Sequence, residues 1–542
     1  MKSACFHGAF VRRERFWTAV LVAMLALGAT VIGPGQPLTG LACISAAWVC
    51  VGIGVARARR SKRCSPPPLA TASWAQWPEA SSQARPGPFL LGLWPGTQTR
   101  LYLGEEQLSG HVLVVGPSRS GKTAGVIAPN VLLRDPKKES LVVLDVKSGP
   151  RSLWNVTAGR YGPRARLFCP FFEESVGYNP LEDVESVGAA QRKAALLIRN
   201  TTPRDLSGDA HVYAAAAEDL ATLLFLHVQQ ERAGGGHTVG AVYRLLLRGP
   251  AAVRDALRTS RVDEVRERQG MFASRERRVQ EAAVTGLLER LSPWADPLVE
   301  EATRRHWDVR LLGQEPSALY ILLPEADAHR LQPLVAWLVA DILDGLVEMA
   351  DRRGRICPVR LFLDEFRQFG YLAGLADRLP TLRERSISVV LGVQVMTQIA
   401  ELYGEWETRS LVGNTETKVI FRAGDLETAQ LVSRWLGHTV VPAVSVTVRG
   451  TRERAATIHP VVRPLLAPED VRRIPEGALI ALSGSLPPLA LRQARYFATP
   501  GFALVPPPFP LRRRPTPALS VGRPQEGDVD RRRTPPPPLE SV

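Results

Sequence analysis

Gly116-Pro117-Ser118-Arg119-Ser120-Gly121-Lys122-Thr123 fits the pattern G-x-x-x-x-G-K-[ST]. The apolar run His111 to Val115 leads into it and reads as a buried strand, and Ala124 to Leu133 reads as the start of a helix. In that setting the glycines let backbone N–H groups turn inward around phosphate oxygens, and the helix start adds positive potential. Gly116, Pro117, Ser118, Arg119, Ser120 and Gly121 would form the cradle. Lys122 would reach the β- and γ-phosphates, and the Thr123 hydroxyl would ligate Mg²⁺. A glycine turn can match the pattern by chance, but it does not require a strand in front and a helix behind. The segment predicts ATP binding within an α/β domain.

The 542 residues exceed what one small core can organise, so two or three domains are expected. Hydrophobic residues make up 45% and charged residues 22%, a globular balance. The formal net charge of +15 favours a polyanionic partner, either nucleic acid or an anionic membrane face, although an Arg-rich composition can reach this charge without one. The six cysteines include no C-x-x-C pair and the nine histidines are scattered, which argues against a zinc site or a disulfide framework.

Two apolar stretches, 16–33 and 38–56, are each long enough to cross a bilayer, and Pro34-Gly35-Gln36-Pro37 between them reads as a turn. Arg12, Arg13 and Arg15 precede the first, while Arg57, Arg59, Arg60, Lys62 and Arg63 follow the second. By the positive-inside rule both ends lie in the cytoplasm, giving a membrane hairpin over 1–64. A cleavable signal peptide fits less well, because there are two spans with basic ends and an ATP motif downstream. A linker rich in Pro, Ala and Ser is expected over 65–88, and a disordered basic tail over 505–542.

The nucleotide-binding domain is expected in two pieces, 89–181 and 308–504, around an all-helical insertion at 182–307. Ser140 to Leu144 reads as a buried strand ending in Asp145, an acid that either faces the nucleotide or caps a turn. Val359 to Leu363 is an apolar strand ending in Asp364-Glu365. There Asp364 would hold Mg²⁺ through water and Glu365 would act as general base. The strand Ile387 to Val393 ends in Gln394, with Gln398 one helical turn later. These amides suit γ-phosphate sensing and equally suit a helix cap. Arg383 and Arg385 fit either a trans-acting arginine or surface ion pairs.

Taken together, the chain resembles the type IV secretion coupling proteins, the TraG/TraD-like conjugative DNA-transfer ATPases. The resemblance rests on Gly116–Thr123, Val143-Leu144-Asp145-Val146-Lys147, Tyr178-Asn179-Pro180-Leu181, Leu363-Asp364-Glu365-Phe366, Gln394-Val395-Met396-Thr397-Gln398 with Tyr403-Gly404, and Ser433-Arg434-Trp435-Leu436-Gly437. Arg463-Pro464-Leu465-Leu466 and Pro468-Glu469-Asp470 close the set. It implies a RecA-like P-loop core with an all-α insertion, anchored by a two-helix hairpin in the inner membrane and assembled as a homohexamer. By the same resemblance, Lys122 and Thr123 bind nucleotide, Asp364 and Glu365 serve Mg²⁺ and hydrolysis, Gln394 matches the glutamine motif, and Arg383 falls where a trans-acting arginine is expected. The implied partners are relaxase-bound single-stranded DNA or protein substrates and other type IV secretion components. Ser148-Gly149 stands where relatives often carry Gly-Glu, and the loop between the spans is short. Competing expectations are an adaptor for protein effectors without DNA pumping, a double-stranded DNA translocase, and a non-enzymatic scaffold. No recognisable C-terminal winged helix supports the translocase.

Overall fold

Short apolar runs bounded by turn residues become strands, and these assemble into one large sheet. The structure, a computed structural model, describes residues 72–202, 209–449 and 453–515. The first strands in chain order are Phe89–Leu93 (β1), Arg100–Leu103 (β2), Val112–Val115 (β3), Ser140–Asp145 (β4) and Ala165–Phe168 (β5). After a long helical segment come Ala318–Leu322 (β6), Val359–Leu363 (β7), Ile387–Val393 (β8) and Thr417–Ile420 (β9). His438–Arg449 (β10) and Glu453–Pro464 (β11) pair only with each other, and Ala478–Ser483 (β12) and Leu489–Arg492 (β13) return to the main sheet.

The 11-stranded sheet runs β2-β1-β13-β12-β9-β3-β8-β7-β4-β6-β5. From β9 to β5 the strands are parallel, and from β12 to β2 they are antiparallel. β8 therefore lies between β3, which carries the glycine-rich loop, and β7, which carries the paired acids. That interposed strand is the RecA-like order.

The central strands are buried on both faces, as parallel strands must be. Leu113, Leu144, Leu361 and Leu391 face one core with Leu331 and Trp337, while Val112, Val143, Phe362 and Val390 face another with Val126, Ile127 and Trp154. Successive side chains point to opposite faces of a strand, so β3 and β7 serve both cores. Asn130 fastens the antiparallel half to the helix Ala128–Leu132. Its Oδ1 accepts from Leu90 N–H (2.6 Å), and its Nδ2 donates to Leu90 O (2.9 Å) and Val126 O (2.8 Å).

Among the described residues, those between β5 and β6 form helices and no strand, including Val187–Thr201, Ala210–His227 and Arg277–Arg290. This bundle shares a core with the sheet through the helix Ala328–Arg353. Trp337 of that helix lies 5.6 Å from Phe225 and 6.3 Å from Trp294, ring centre to ring centre.

The stretches 16–33 and 38–56 lie outside the described residues. Among the described residues no helix is long and apolar enough to cross a membrane. The tail differs from expectation. Residues 505–514 do not leave the body but run along it in extended form. Glu173 N–H donates to Arg512 O (3.0 Å), Arg514 N–H donates to Phe171 O (2.9 Å), and the Phe509 ring lies 4.9 Å from that of Trp154. Proline and arginine dominate the composition there, yet Phe509 and Leu511 suffice to dock it against an apolar face. Phe509→Ala is expected to lower unfolding stability by about 2 kcal/mol, since it removes a half-buried aromatic contact. Urea denaturation measures the loss, and faster proteolysis near residue 510 should accompany it.

Candidate functional site

The glycine-rich loop leaves β3 at the carboxyl ends of the parallel strands, where ligands of open α/β sheets bind. Gly116 N–H donates to Val393 O of β8 (3.1 Å), and Phe421 N–H, just past β9, donates to Val115 O (2.8 Å). The loop is thus gripped from both sides at its first residue. Arg119 (φ +64°) and Gly121 (φ +102°) take left-handed backbone conformations that wind the loop into a concave turn. A Cβ on Gly121 would meet Gln493 Oε1 at 2.4 Å. Behind the loop the chain turns helical over Thr123–Ile127, a wide π-type turn, and continues as Ala128–Leu132.

Lys122 is buried, and its ammonium donates to Gly116 O (2.5 Å) and Pro117 O (3.3 Å), with Glu365 Oε1 at 3.9 Å. Burial lowers its pKa, while the Glu365 and Asp364 carboxylates oppose that shift. Thr123 Oγ1 donates to Asp364 Oδ2 (2.5 Å), so the hydroxyl and carboxylate expected at Mg²⁺ meet across two strands. Asp364 itself is fully buried. It has room because Gly392 on β8 carries no side chain: a Cβ there would lie 3.1 Å from Asp364 Oδ1. Glu365 follows in a left-handed conformation (φ +57°, ψ +49°), which a bulky residue adopts only at a cost. That turn aims its carboxylate back toward the loop, where Gln394 Nε2 donates to Oε2 (2.6 Å).

Lys122, Thr123, Asp364, Glu365 and Gln394 therefore converge, although they come from three separate stretches of sequence. Asp145 does not join them as a ligand. Its carboxylate accepts from Leu153 N–H (2.7 Å) and Lys147 N–H (3.1 Å), organising the loop after β4. Burial first, then the Asp364 charge, push its pKa up to about 6. Arg383 and Arg385 also stand apart. They precede β8 at its amino end, opposite Gln394, and pair with Glu416 (3.3 Å) and Asp351 (2.7 Å). Neither reaches the phosphate loop of its own chain.

Two further residues contribute, one of them, Lys147, inside a motif that carried the resemblance but with no role read for it there, the other, Gln493, without any signal in the sequence. Lys147 Nζ lies 3.3 Å from Thr123 Oγ1 and 4.0 Å from Asp364 Oδ2, adding a second cation. Gln493, just after β13, donates from Nε2 to Ser120 O (2.9 Å) and braces the loop from the antiparallel half of the sheet. No spacing marks Gln493, because its partner lies 373 residues away. It also borders a cleft of about 440 Å³ lined by Gln98, Glu476, Arg492, Arg495 and Thr499.

The residues fit a Mg²⁺–nucleotide. Ser120 Oγ is buried in the loop with no hydrogen-bond partner among the described residues, and a phosphate oxygen would satisfy it. A hydroxyl beside a carboxylate is a hard oxygen pair suited to Mg²⁺. The two lysines supply charge against phosphate.

Residues 68–512 match the family described as type IV secretory system conjugative DNA transfer. The chain is 26% identical to protein VirD4 of Agrobacterium fabrum (strain C58) over 399 residues, covering 72% of this chain and 59% of that protein. It is 27% identical to the conjugal transfer protein TraG of Escherichia coli over 443 residues, covering 72% and 68%. This chain thus spans under two thirds of the length of its VirD4 relatives. Among solved structures, it resembles the bacterial conjugative coupling protein TrwBΔN70 in its sulphate complex, with TM-score 0.63, 18% identity, and 83% and 99% coverage. The plasmid coupling protein TrwB in complex with ADP and Mg²⁺ matches at TM-score 0.60 and 17% identity, with 81% and 95% coverage.

Proposed function

We propose that this chain, which belongs to the type IV secretory system conjugative DNA transfer family, is an ATP-driven coupling protein that brings DNA to a secretion channel. The observation that carries the motor reading is the meeting of Lys122, Thr123, Asp364, Glu365 and Gln394 at one strand end. When bound, Mg²⁺ would supply charge neutralisation at the phosphates, held by Thr123 and Asp364. Lys122 would exchange its carbonyl partners for phosphate oxygens. Glu365 would orient and deprotonate the attacking water, and Gln394 would hold that carboxylate in place. A nucleoside would extend toward the cleft beside Gln493 and Arg495. The TrwB structure with ADP and Mg²⁺ supports this cofactor choice.

The remaining parts follow from the family. The apolar stretches 16–33 and 38–56 would anchor the chain in the inner membrane with both termini cytoplasmic. Copies would form a homohexameric ring in which Arg383 of one subunit serves a neighbour's nucleotide; within its own chain Arg383 pairs with Glu416. Relaxase-bound single-stranded DNA would be the cargo, consistent with the net charge of +15. ATPase activity of the full chain, measured with and without single-stranded DNA, tests this. Stimulation that falls steeply with salt is expected. No stimulation by DNA but stimulation by a secreted protein would replace the DNA reading with that of a protein-effector adaptor.

Gln493→Ala should weaken nucleotide binding about 10-fold by loosening the loop at Ser120, with kcat at saturating ATP changed by less than about threefold. Nucleotide titration beside steady-state kinetics separates the two effects.

A further inference from the structure

Lys147 is a cation that the hydrolytic residues above leave without a task. Its backbone is fixed by Asp145 at the end of β4, which accepts from both Lys147 N–H (3.1 Å) and Leu153 N–H (2.7 Å). The loop so closed is pinned again by Ser152. Its N–H donates to Gly149 O (2.9 Å), and its Oγ accepts from Asn155 N–H (3.3 Å) to cap the helix Leu153–Thr157. The Lys147 side chain is 46% exposed, so water is within its reach. It nevertheless turns toward the end of the neighbouring β7. There Nζ donates to Thr123 Oγ1 (3.3 Å), with Asp364 Oδ2 at 4.0 Å. Ordering a long flexible stem costs entropy, and the buried Asp364 charge is the attraction that offsets it.

Two ammoniums thus attend the paired acids in different ways. The Lys122 side chain is 3% exposed and lies inside the loop, with Glu365 Oε1 at 3.9 Å, whereas Lys147 reaches Asp364 from the open side. Burial is the first cause that lowers the Lys122 pKa, and the Lys147 charge adds to it, so the two ammoniums are near enough to repel. An anion received between them relieves that repulsion. Mg²⁺ held by Thr123 and Asp364 would in turn repel an ammonium resting on the same two oxygens. The anion that arrives with the metal is the phosphate chain. Its inner phosphates belong to the loop backbone, and Lys122 bridges to the last. That terminal phosphate must come up to Glu365 and Gln394, beside Asp364, and Lys147 stands there already.

We propose that Lys147 is a specificity residue for the terminal phosphate. Its ammonium leaves Thr123 and Asp364 when the metal–nucleotide binds and pairs with the γ-phosphate, so that the site distinguishes a nucleoside triphosphate from a diphosphate. This rests on the reading that 116–123 hold a Mg²⁺–nucleotide. Deprotonating the attacking water remains the task of Glu365. Lys147 supplies charge from within its own chain, and Asp145 acts through it as a positioning residue by holding the Lys147 backbone.

The test is equilibrium binding of the full chain at saturating Mg²⁺, with ADP and with a non-hydrolysable imido analogue of ATP as the two probes. Lys147→Met should weaken the triphosphate about 10-fold and ADP by less than about threefold, so the preference between them collapses. Lys147→Arg keeps a cation at a half-exposed position and should restore most of that preference. Thermal unfolding of both variants without nucleotide should stay within a few degrees of the parent, which shows that the folded body is intact. Equal weakening of both probes, or of neither, overturns the inference. So does tighter Mg²⁺ binding in Lys147→Met with the preference unchanged, which would make Lys147 only a counter-ion that the metal displaces. A parent chain that binds neither probe defeats the phosphate-loop reading itself. A parent that binds both, with Lys147→Met unaltered, defeats only the inference about Lys147.

Discussion

Lys122→Ala is expected to remove ATP hydrolysis to background and to weaken ATP binding about 100-fold. The ammonium is the charge placed closest to the loop interior, where burial makes a charge-assisted contact worth about 3 kcal/mol. The folded body should survive the change. Burial already penalises this charge, and among the described residues the ammonium's partners are only two loop carbonyls and a distant carboxylate. Thermal unfolding of the variant should therefore stay within a few degrees of the parent. Lys122→Arg should not rescue activity, because a planar guanidinium cannot occupy the pocket of a compact ammonium. Nucleotide titration and phosphate release measure both effects. Full ATPase activity in Lys122→Ala would sink the motor reading and favour a scaffold.

Glu365→Gln is expected to separate binding from chemistry. The amide keeps an oxygen to accept from Gln394 and fits the same left-handed turn, so ATP affinity should change by less than about threefold. It cannot take a proton, and hydrolysis should fall by about 100- to 1,000-fold. Single-turnover hydrolysis beside a binding titration distinguishes these outcomes. Equal losses in binding and rate would assign Glu365 to the loop's architecture instead. Gln394→Ala should show a milder loss of rate, about 10-fold, since it frees the carboxylate without removing it.

Much of the site is legible along the chain because its signals are local. Two glycines, a lysine and a threonine at fixed spacing shape one turn, and an apolar strand marks where the turn begins. Asp364-Glu365 and Gln394 stand out in the same way, each at the end of a mainly apolar strand that only Arg360 or Ser388 interrupts. Four features are not accessible to that reasoning. Gln493 and Gly392 matter only because β13 and β8 lie beside the elements they serve. Asp145 occupies a strand end like that of Asp364, yet backbone N–H groups of the following loop claim its oxygens. Residues 505–514 read as tail by composition, but an apolar face made by Trp154 accepts Phe509.

The amino-acid order alone places a phosphate loop between a strand and a helix, sets paired acids at the end of another strand, and marks which segments alternate or run apolar. Backbone conformation and burial pattern follow from neighbours a few residues away, so these are readable along the chain. Folding in three dimensions then settles which strand ends share one edge, which arginines lie at the opposite edge, and which lysine comes to rest beside Asp364. Those depend on strand order and register between residues hundreds of positions apart, and no local spacing encodes them.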